Sequence, residues 1–260
     1  MNNLAGLNSI FNDTDAWRTA LILGFAMLVA WQTGRLLGRR LRAQDTEVPV
    51  SKFLDASLAL LGLLLGFTFS LAIVKYDQRR LAVLADSNAI GDFYTCATLL
   101  KDPVRTQLQS VVRDYTRLRV ELASHRVSEA EFEDALERMQ HMHDRMTALV
   151  DQALTAGTPI SVSLTNTLNG LISNHADRLA AVRDRLPASV VFLLLLAAVV
   201  ASLLVGREQG ASKEKDIAGT VSFIVLATFV VFVILDLNQP ERGMIIVNQE
   251  PMVRLLSSMK

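Results

Sequence analysis

The sequence lacks the residues and motifs that mark several large classes of protein. Its single cysteine, Cys96, allows no internal disulfide and no cysteine pair for a metal site. Its 26 basic and 26 acidic residues cancel, so it has no excess of positive charge of the kind that binds nucleic acid. No G-x-S-x-G, P-loop, G-x-G-x-x-G or H-E-x-x-H motif is present. We therefore expect no enzyme activity, no cofactor, no metal and no nucleic-acid partner.

Charge is absent from the middle of four long apolar stretches. The chain is 51% hydrophobic and 20% charged, which is apolar for a soluble protein. A bilayer-spanning helix takes about 20 mostly apolar residues. The stretches that meet this length are Trp17 to Leu37, Phe53 to Val74, Ala188 to Gly206 and Ile217 to Leu237. Because no ionisable group lies at mid-span, a proton-coupled mechanism through the spans is disfavoured.

The residues between the second and third spans predict helices that lie outside the lipid. Apolar residues recur there at intervals of three and four, which is the period of a helix face. The stripe that continues the second span is Ala82, Ala85, Ala89, Phe93, Cys96 and Leu100. Further along, Ser128 and Glu131 fit a capping box, and Gly157 with Pro159 predicts the end of that helix. The second span is thus expected to continue as one long helix into a soluble bundle.

The predicted fold class is all-α. Four transmembrane helices, two before and two after, flank a helical-bundle soluble domain into which the second span continues. The predicted segments are 1–52 (N-terminal tail, first span and basic loop), 53–75 (second span), 76–186 (bundle), 187–237 (third and fourth spans) and 238–260 (C-terminal tail).

The second span carries the residues of greatest functional interest. Gly62, Gly66 and Ser70 share one helix face at spacing four, the small-residue pattern that lets helices approach closely in lipid. Phe67 and Phe69 lie roughly 200° apart around the helix, so at most one of them belongs to any given face. A ring of such helices from identical subunits would make a hydrophobic constriction that gates by dewetting. The sequence leaves open whether this helix only anchors the protein or also lines a pore.

The histidines do not form a metal motif. His141 and His143 are two residues apart on a predicted helix and therefore point to different sides. His175 lies on an apolar stripe, which favours a hydrogen-bonded core residue over a ligand.

Several polar motifs resemble those of the bestrophin-like family of bacterial membrane proteins. The resemblance begins at Tyr76-Asp77-Gln78-Arg79-Arg80 and covers about residues 53 to 254. It continues through Asn88-Ala89-Ile90-Gly91, Asn174-His175-Ala176-Asp177-Arg178 and Asp236-Leu237-Asn238-Gln239-Pro240, followed by Gly243, Gln249 and Pro251. The chain departs from the family pattern at Ser87 and Asn238, where an acidic residue is common.

The resemblance implies a bestrophin-like plan, in which a ring of subunits surrounds an anion-conducting pore in the bacterial cell membrane. Its expected partners are the lipid bilayer, further copies of the chain and small anions. The apolar neck would be formed by Leu63, Phe67 and Ser70, or by the neighbouring face of Phe69. The resemblance also implies a cytosolic bundle, whereas the basic short loops would place the bundle outside under the positive-inside rule. The alternative function is a membrane-anchored helical sensor or scaffold without a pore.

Basic residues flank the predicted spans on the side of the bundle. They are expected to form a vestibule that concentrates anions, because like charges lining a cleft raise the local density of counter-ions. The alternative is that they pair with nearby aspartates, such as Asp77 and Asp177, or with lipid phosphates. The arginines concerned are Arg79, Arg80, Arg178, Arg183 and Arg185. For Asn88 and Asn174 we expect hydrogen bonds between helices.

Overall fold

Helices account for nearly all of the residues described by the computed structural model, which are 15–43, 52–124, 128–212, 216–239 and 243–259. No strand occurs within these ranges, so the predicted all-α class is confirmed. The tail before residue 15, the loop residues 44–51 and Pro240 lie outside the described residues. In chain order the helices are α1 (Ala16–Ala43), α2 (Lys52–Thr98), α3 (Val104–Ser124), α4 (Glu129–Thr155), α5 (Ser161–Arg183), α6 (Ala188–Ala211), α7 (Ile217–Leu237) and α8 (Glu250–Ser258).

Helix α2 is a single element of 47 residues, as predicted. At 1.5 Å per residue it is about 70 Å long, more than twice the hydrocarbon thickness of a bilayer. Four helical stretches are long and apolar enough to cross a membrane: Ala16–Leu41, Phe53–Thr98, Ser161–Ala211, which includes both α5 and α6, and Ile217–Leu237. The apolar run of α6 begins at Ala188, after a non-helical break that separates it from α5. Helix α5 is therefore outside the spanning segment. The two-plus-two arrangement of the spans stays a prediction.

The chain divides into two compact units. The membrane unit comprises Met1–Tyr76 and Arg185–Ile246, and so contains α1, the first part of α2, α6 and α7. The bundle unit comprises Asp77–Asp184 and Val247–Lys260, and so contains the rest of α2 together with α3, α4, α5 and α8.

In the membrane unit, α1 and α6 meet backbone to backbone. Gly34 of α1 lies against the carbonyl of Leu203, and Gly206 of α6 lies against the carbonyl of Trp31. The pattern repeats one turn on, where Gly38 and Gly210 face carbonyls of the opposite helix. A methyl group at any of the four would collide with a carbonyl oxygen. Two facing G-x-x-x-G pairs thus allow the close approach that stabilises helix pairs in lipid.

The turn after α7 joins several segments of the membrane unit. The buried carboxylate of Asp236 accepts hydrogen bonds from the backbone N–H groups of Met244 and Ile245, at 2.8–3.0 Å. The Asn238 side-chain oxygen accepts from the N–H of Leu186 at 2.7 Å, just before α6. The Gln239 side-chain oxygen accepts from the N–H of Ala16 at 3.2 Å, at the start of α1. The bond to Ala16 satisfies a donor at a helix N-terminus, where the first N–H groups have no intrahelical partner. The other bonds satisfy backbone donors of the non-helical segments around Leu186 and Met244.

The bundle unit has a side-chain core. Its largest fully buried members include Phe93, Leu108, Tyr115, Met146 and Leu171, contributed by four helices. The capping box of Ser128 and Glu131 forms as predicted at the start of α4.

One predicted stripe needs correction. From Val83 onward, the buried residues of α2 are Val83, Asp86, Ser87, Ile90, Phe93 and Ala97. Of the predicted stripe, Ala85 is exposed and Ala82, Ala89 and Cys96 are half-buried. The buried face is rotated toward bulkier side chains, and it includes a carboxylate.

Candidate functional site

The neck candidates lie on the face of α2 that points away from the membrane-unit core. Leu61, Thr68 and Ala72 are at most 3% exposed and form the inward face. Leu63 and Phe67 are 55% and 62% exposed, and Ser70 and Val74 share their side, roughly 150° from the inward face. We call Leu63, Phe67, Ser70 and Val74 the outward face. Phe69 lies to one side of it and is 37% exposed.

Gly62 and Gly66 border the outward face and are open. A methyl group at either position would meet no atom within 4 Å. Within a single chain these glycines therefore do not make the close helix contact predicted for them, and that contact is made by the glycines of α1 and α6. Packing of Gly62 and Gly66 against a second copy of the chain stays a prediction.

Arg79, at the beginning of the bundle unit, points inward. Its side chain donates to the backbone carbonyls of Ala181 (3.2 Å) and Asp184 (2.9 Å), which belong to the last turn of α5 and the residue that follows. A guanidinium at a helix C-terminus satisfies the final carbonyls and offsets the negative end of the helix dipole. Arg79 is 3% exposed, and these two contacts are those of a helix cap.

A buried ionic network lies at the centre of the bundle unit. Asp86 of α2 has a side chain that is 0% exposed, and one of its carboxylate oxygens accepts hydrogen bonds from both Arg119 of α3 and Arg178 of α5. The bond from Arg178 measures 2.9 Å, and Arg178 also donates to the side-chain oxygen of Gln249 at 3.0 Å. The network therefore contains two guanidinium groups and one carboxylate. Burial lowers the pKa of Arg178 to about 10, so its charge persists at neutral pH.

Two histidines and a tyrosine extend this ionic network. His175 Nδ1 lies 2.9 Å from Arg119 Nη1 and 3.2 Å from the Tyr115 hydroxyl. The His143 ring packs on those of Tyr115 and His175, with centroid distances of 5.1 and 5.0 Å. Burial raises the pKa of Tyr115 to about 12, so the phenol is neutral. Burial, reinforced by Arg119, lowers the pKa of His143 below its ordinary value.

Three atoms of the cluster lack a hydrogen-bond partner among the described residues. They are Asp86 Oδ1, Arg119 Nε and His143 Nε2. Buried polar atoms are usually hydrogen-bonded, so three without a partner are unusual. The cluster thus has unused donors and acceptors in addition to its excess positive charge. In the described part of the chain, no three His, Cys, Asp or Glu side chains are grouped to hold a metal ion.

The remaining predicted residues are spread over both units. Five of them have exposed side chains, namely Asp77, Arg80, Asn88, Asp177 and Arg183. Arg185 is half-buried. Tyr76 packs against the membrane-unit core. Asn174 donates to the carbonyl of Gly170 in its own helix at 2.8 Å, so this contact is not the predicted bond between helices.

Sequence reasoning missed Asp86 and Arg119, and it considered His143 only as a possible metal ligand. A usable signal existed for Asp86, which stands three residues after Val83 and four before Ile90, on an apolar face. A charged residue at such a position must find a buried partner. The partners, however, lie on other helices and at unrelated positions in the chain.

Taken together, the four candidate spans and the helical bundle define a multi-pass membrane protein. The chain belongs to the bestrophin-like domain family, whose family model matches residues 20–252. This match also includes the first span, which the motif resemblance did not reach. No curated protein and no solved structure matches the chain.

Proposed function

We propose that this protein is a homo-oligomeric anion channel of the bacterial cell membrane, without enzymatic activity, in which copies of α2 surround the pore. The observation that carries the proposal is the outward face of α2, which is uncharged and, apart from Ser70, apolar in a chain of the bestrophin-like family. Family likeness alone does not fix function, so the residues of this face have to supply the mechanism.

The exposed surface of α2 differs from that of the other spans. Helices α1, α6 and α7 expose bulky side chains that suit lipid, such as Phe25, Leu193 and Leu226. Helix α2 also exposes Gly62 and Gly66, which would leave gaps against lipid chains but permit the close approach of another helix. This contrast supports contact between copies of α2 around a common axis.

Phe67 is the stronger of the two candidates for the neck. Its side chain is 62% exposed and shares the outward face with Leu63, whereas Phe69 is turned toward the side. A ring of phenyl groups narrows a pore and disfavours water within it, which is the basis of a hydrophobic gate. Among the five predicted vestibule arginines, the exposed Arg80 and Arg183 remain available to concentrate anions near the pore.

Anion flux from liposomes containing the purified protein tests this proposal. Phe67→Ala widens the proposed constriction and is expected to raise anion efflux several-fold. Phe25→Ala is the matched control, since Phe25 is a 69% exposed phenylalanine on α1, outside the proposed pore. If the reconstituted protein passes no anion, or if both substitutions change efflux equally, the neck assignment is wrong.

A sensor or scaffold is the second candidate. Its support is an open groove of about 590 Å³ in the bundle unit, between α2 and α8. The groove is within the size range of small-molecule sites, and its polar lining includes Ser87, Asn88, Asp92 and Arg254. Particle images decide between the two functions, because a monomer or a dimer without a central axis favours the sensor.

A further inference from the structure

The protonation state of His175 follows from its neighbours. Arg119 Nη1, 2.9 Å from His175 Nδ1, can only donate a hydrogen bond. His175 Nδ1 must therefore present its lone pair, and the single ring proton of the neutral imidazole lies on Nε2. The Tyr115 hydroxyl, 3.2 Å away, donates to the same nitrogen. In the folded bundle, His175 is thus neutral, and the two donors share the single lone pair of its Nδ1.

The groups around His175 oppose an added positive charge. Facing it are Asp86 from α2, Arg119 and Tyr115 from α3, His143 from α4, and Arg178 from its own helix. Two arginines outnumber the one carboxylate, and Tyr115 is neutral. Burial, followed by the charge of Arg119, lowers the pKa of His175 from the ordinary 6.5 to about 4, with Asp86 opposing the shift.

We propose that His175 is a proton-binding switch of the bundle unit, in which a proton taken up from water at Nδ1 displaces the Arg119 guanidinium. The new Nδ1–H faces the N–H groups of Arg119 and can no longer accept from them. The Tyr115 oxygen, which has free lone pairs, changes from donor to acceptor and receives the proton in a hydrogen bond. Protonation therefore exchanges one partner for the other.

The exchange reaches four parts of the bundle unit. Arg119 also binds Asp86, Asp86 binds Arg178, and Arg178 binds Gln249, so the contacts join α2, α3, α5 and the segment before α8. Protonated His175 adds a third positive charge beside one carboxylate. The pKa of His175 is lower in the folded protein, so the unfolded chain takes up the proton first as the pH falls. The contribution of neutral His175 to the stability of the bundle unit is therefore complete above about pH 6.5 and declines toward about pH 4. The switch does not depend on the presence of a pore.

The only cysteine of the protein reports on this region. Cys96 lies on α2, is half-buried and packs against the bundle core. We would measure its reaction with a dithiodipyridine reagent that works in acid, relative to glutathione at the same pH. The relative rate is expected to rise about fivefold or more between about pH 7 and about pH 4.5, as local opening exposes the thiol.

Two variants distinguish protonation of His175 from other effects of low pH on the protein. His175→Asn supplies an amide oxygen that accepts from Arg119 but does not titrate, so the rate should stay nearly flat with pH. His141→Gln removes an exposed histidine of α4 and should keep the wild-type response. A rise in His175→Asn equal to that of the wild type, or no rise in the wild type, overturns the proposal.

A measurement on the wild-type protein tests the proposal even if the His175→Asn variant does not fold. Exchange of the imidazole C2 hydrogen, followed by mass spectrometry across pH, reports the pKa of His175 directly. A midpoint well below the ordinary 6.5 supports the switch, and a midpoint near 6.5 overturns it. Failure of liposome flux would leave both results unchanged, so the switch and the channel are tested separately.

Discussion

The membrane unit and the bundle unit achieve close packing by different physical means. In the membrane unit, glycines of α1 and α6 bring backbones together, and the polar contacts that join its segments lie mainly near helix ends. In the bundle unit, large side chains fill the core and a charged network crosses it. Lipid offers no hydrophobic gain for bringing helices together, so close backbone contact has to supply the attraction there. In the bundle unit, the burial of large apolar side chains contributes to the packing around the ion cluster.

Removing the carboxylate at the centre of the bundle unit is expected to have the largest effect on stability. Asp86→Asn leaves Arg119 and Arg178 as buried cations without a counter-charge, which should lower the free energy of unfolding by about 3–5 kcal/mol. Denaturant unfolding in detergent, followed through Cys96 accessibility, measures the change in this unit.

Asp114→Asn is the matched control for that substitution. Asp114 pairs with Arg117 on the exposed surface of α3, at 3.0 Å, so its loss should cost less than about 1 kcal/mol. Equal costs for the two variants would mean that the buried network contributes no more than a surface pair.

A substitution at the helix contact of the membrane unit should have an intermediate effect. Gly206→Ala places a methyl group against the Trp31 carbonyl, and the resulting overpacking should cost about 1–3 kcal/mol. The fluorescence of Trp31, which lies on α1 at this contact, follows unfolding of this unit.

Gly62→Ala provides the comparison on α2, where a methyl group meets no atom of the same chain. It should leave the fold of the single chain unchanged. A loss as large as that of Gly206→Ala, in protein shown to be monomeric, would contradict the assignment of the close contact to α1 and α6.

The smallest expected effect lies at the start of α4. Ser128→Ala removes the side-chain acceptor for the Glu131 N–H and should lower the free energy of unfolding by about 1 kcal/mol. Ser128→Thr retains both the acceptor for the Glu131 N–H and the donor to the Glu131 carboxylate, and should preserve most of the stability. If Ser128→Ala leaves the free energy of unfolding unchanged, this capping box adds little stability beyond the core contacts of α4.

Local and periodic features were well predicted from the sequence. The capping box at Ser128 and the end of α4 near Gly157 both depend on neighbours within a few residues. The stripe on α2 was partly misplaced, because alanines fit either side of a helix and a buried carboxylate such as that of Asp86 does not fit an apolar pattern. The glycine pairs of α1 and α6 carried a visible spacing, yet spacing alone does not say which glycines meet another helix.

By itself the sequence determined the all-α class, the four apolar stretches and the continuous α2, because helix period, span length and missing charge are properties of the chain. Only the tertiary structure decided which side of α2 is buried and which glycines are in contact. It also decided that Asp86, Arg119, His175 and Arg178 form one cluster. These facts depend on contacts between residues from about 30 to more than 170 positions apart, which no local pattern encodes.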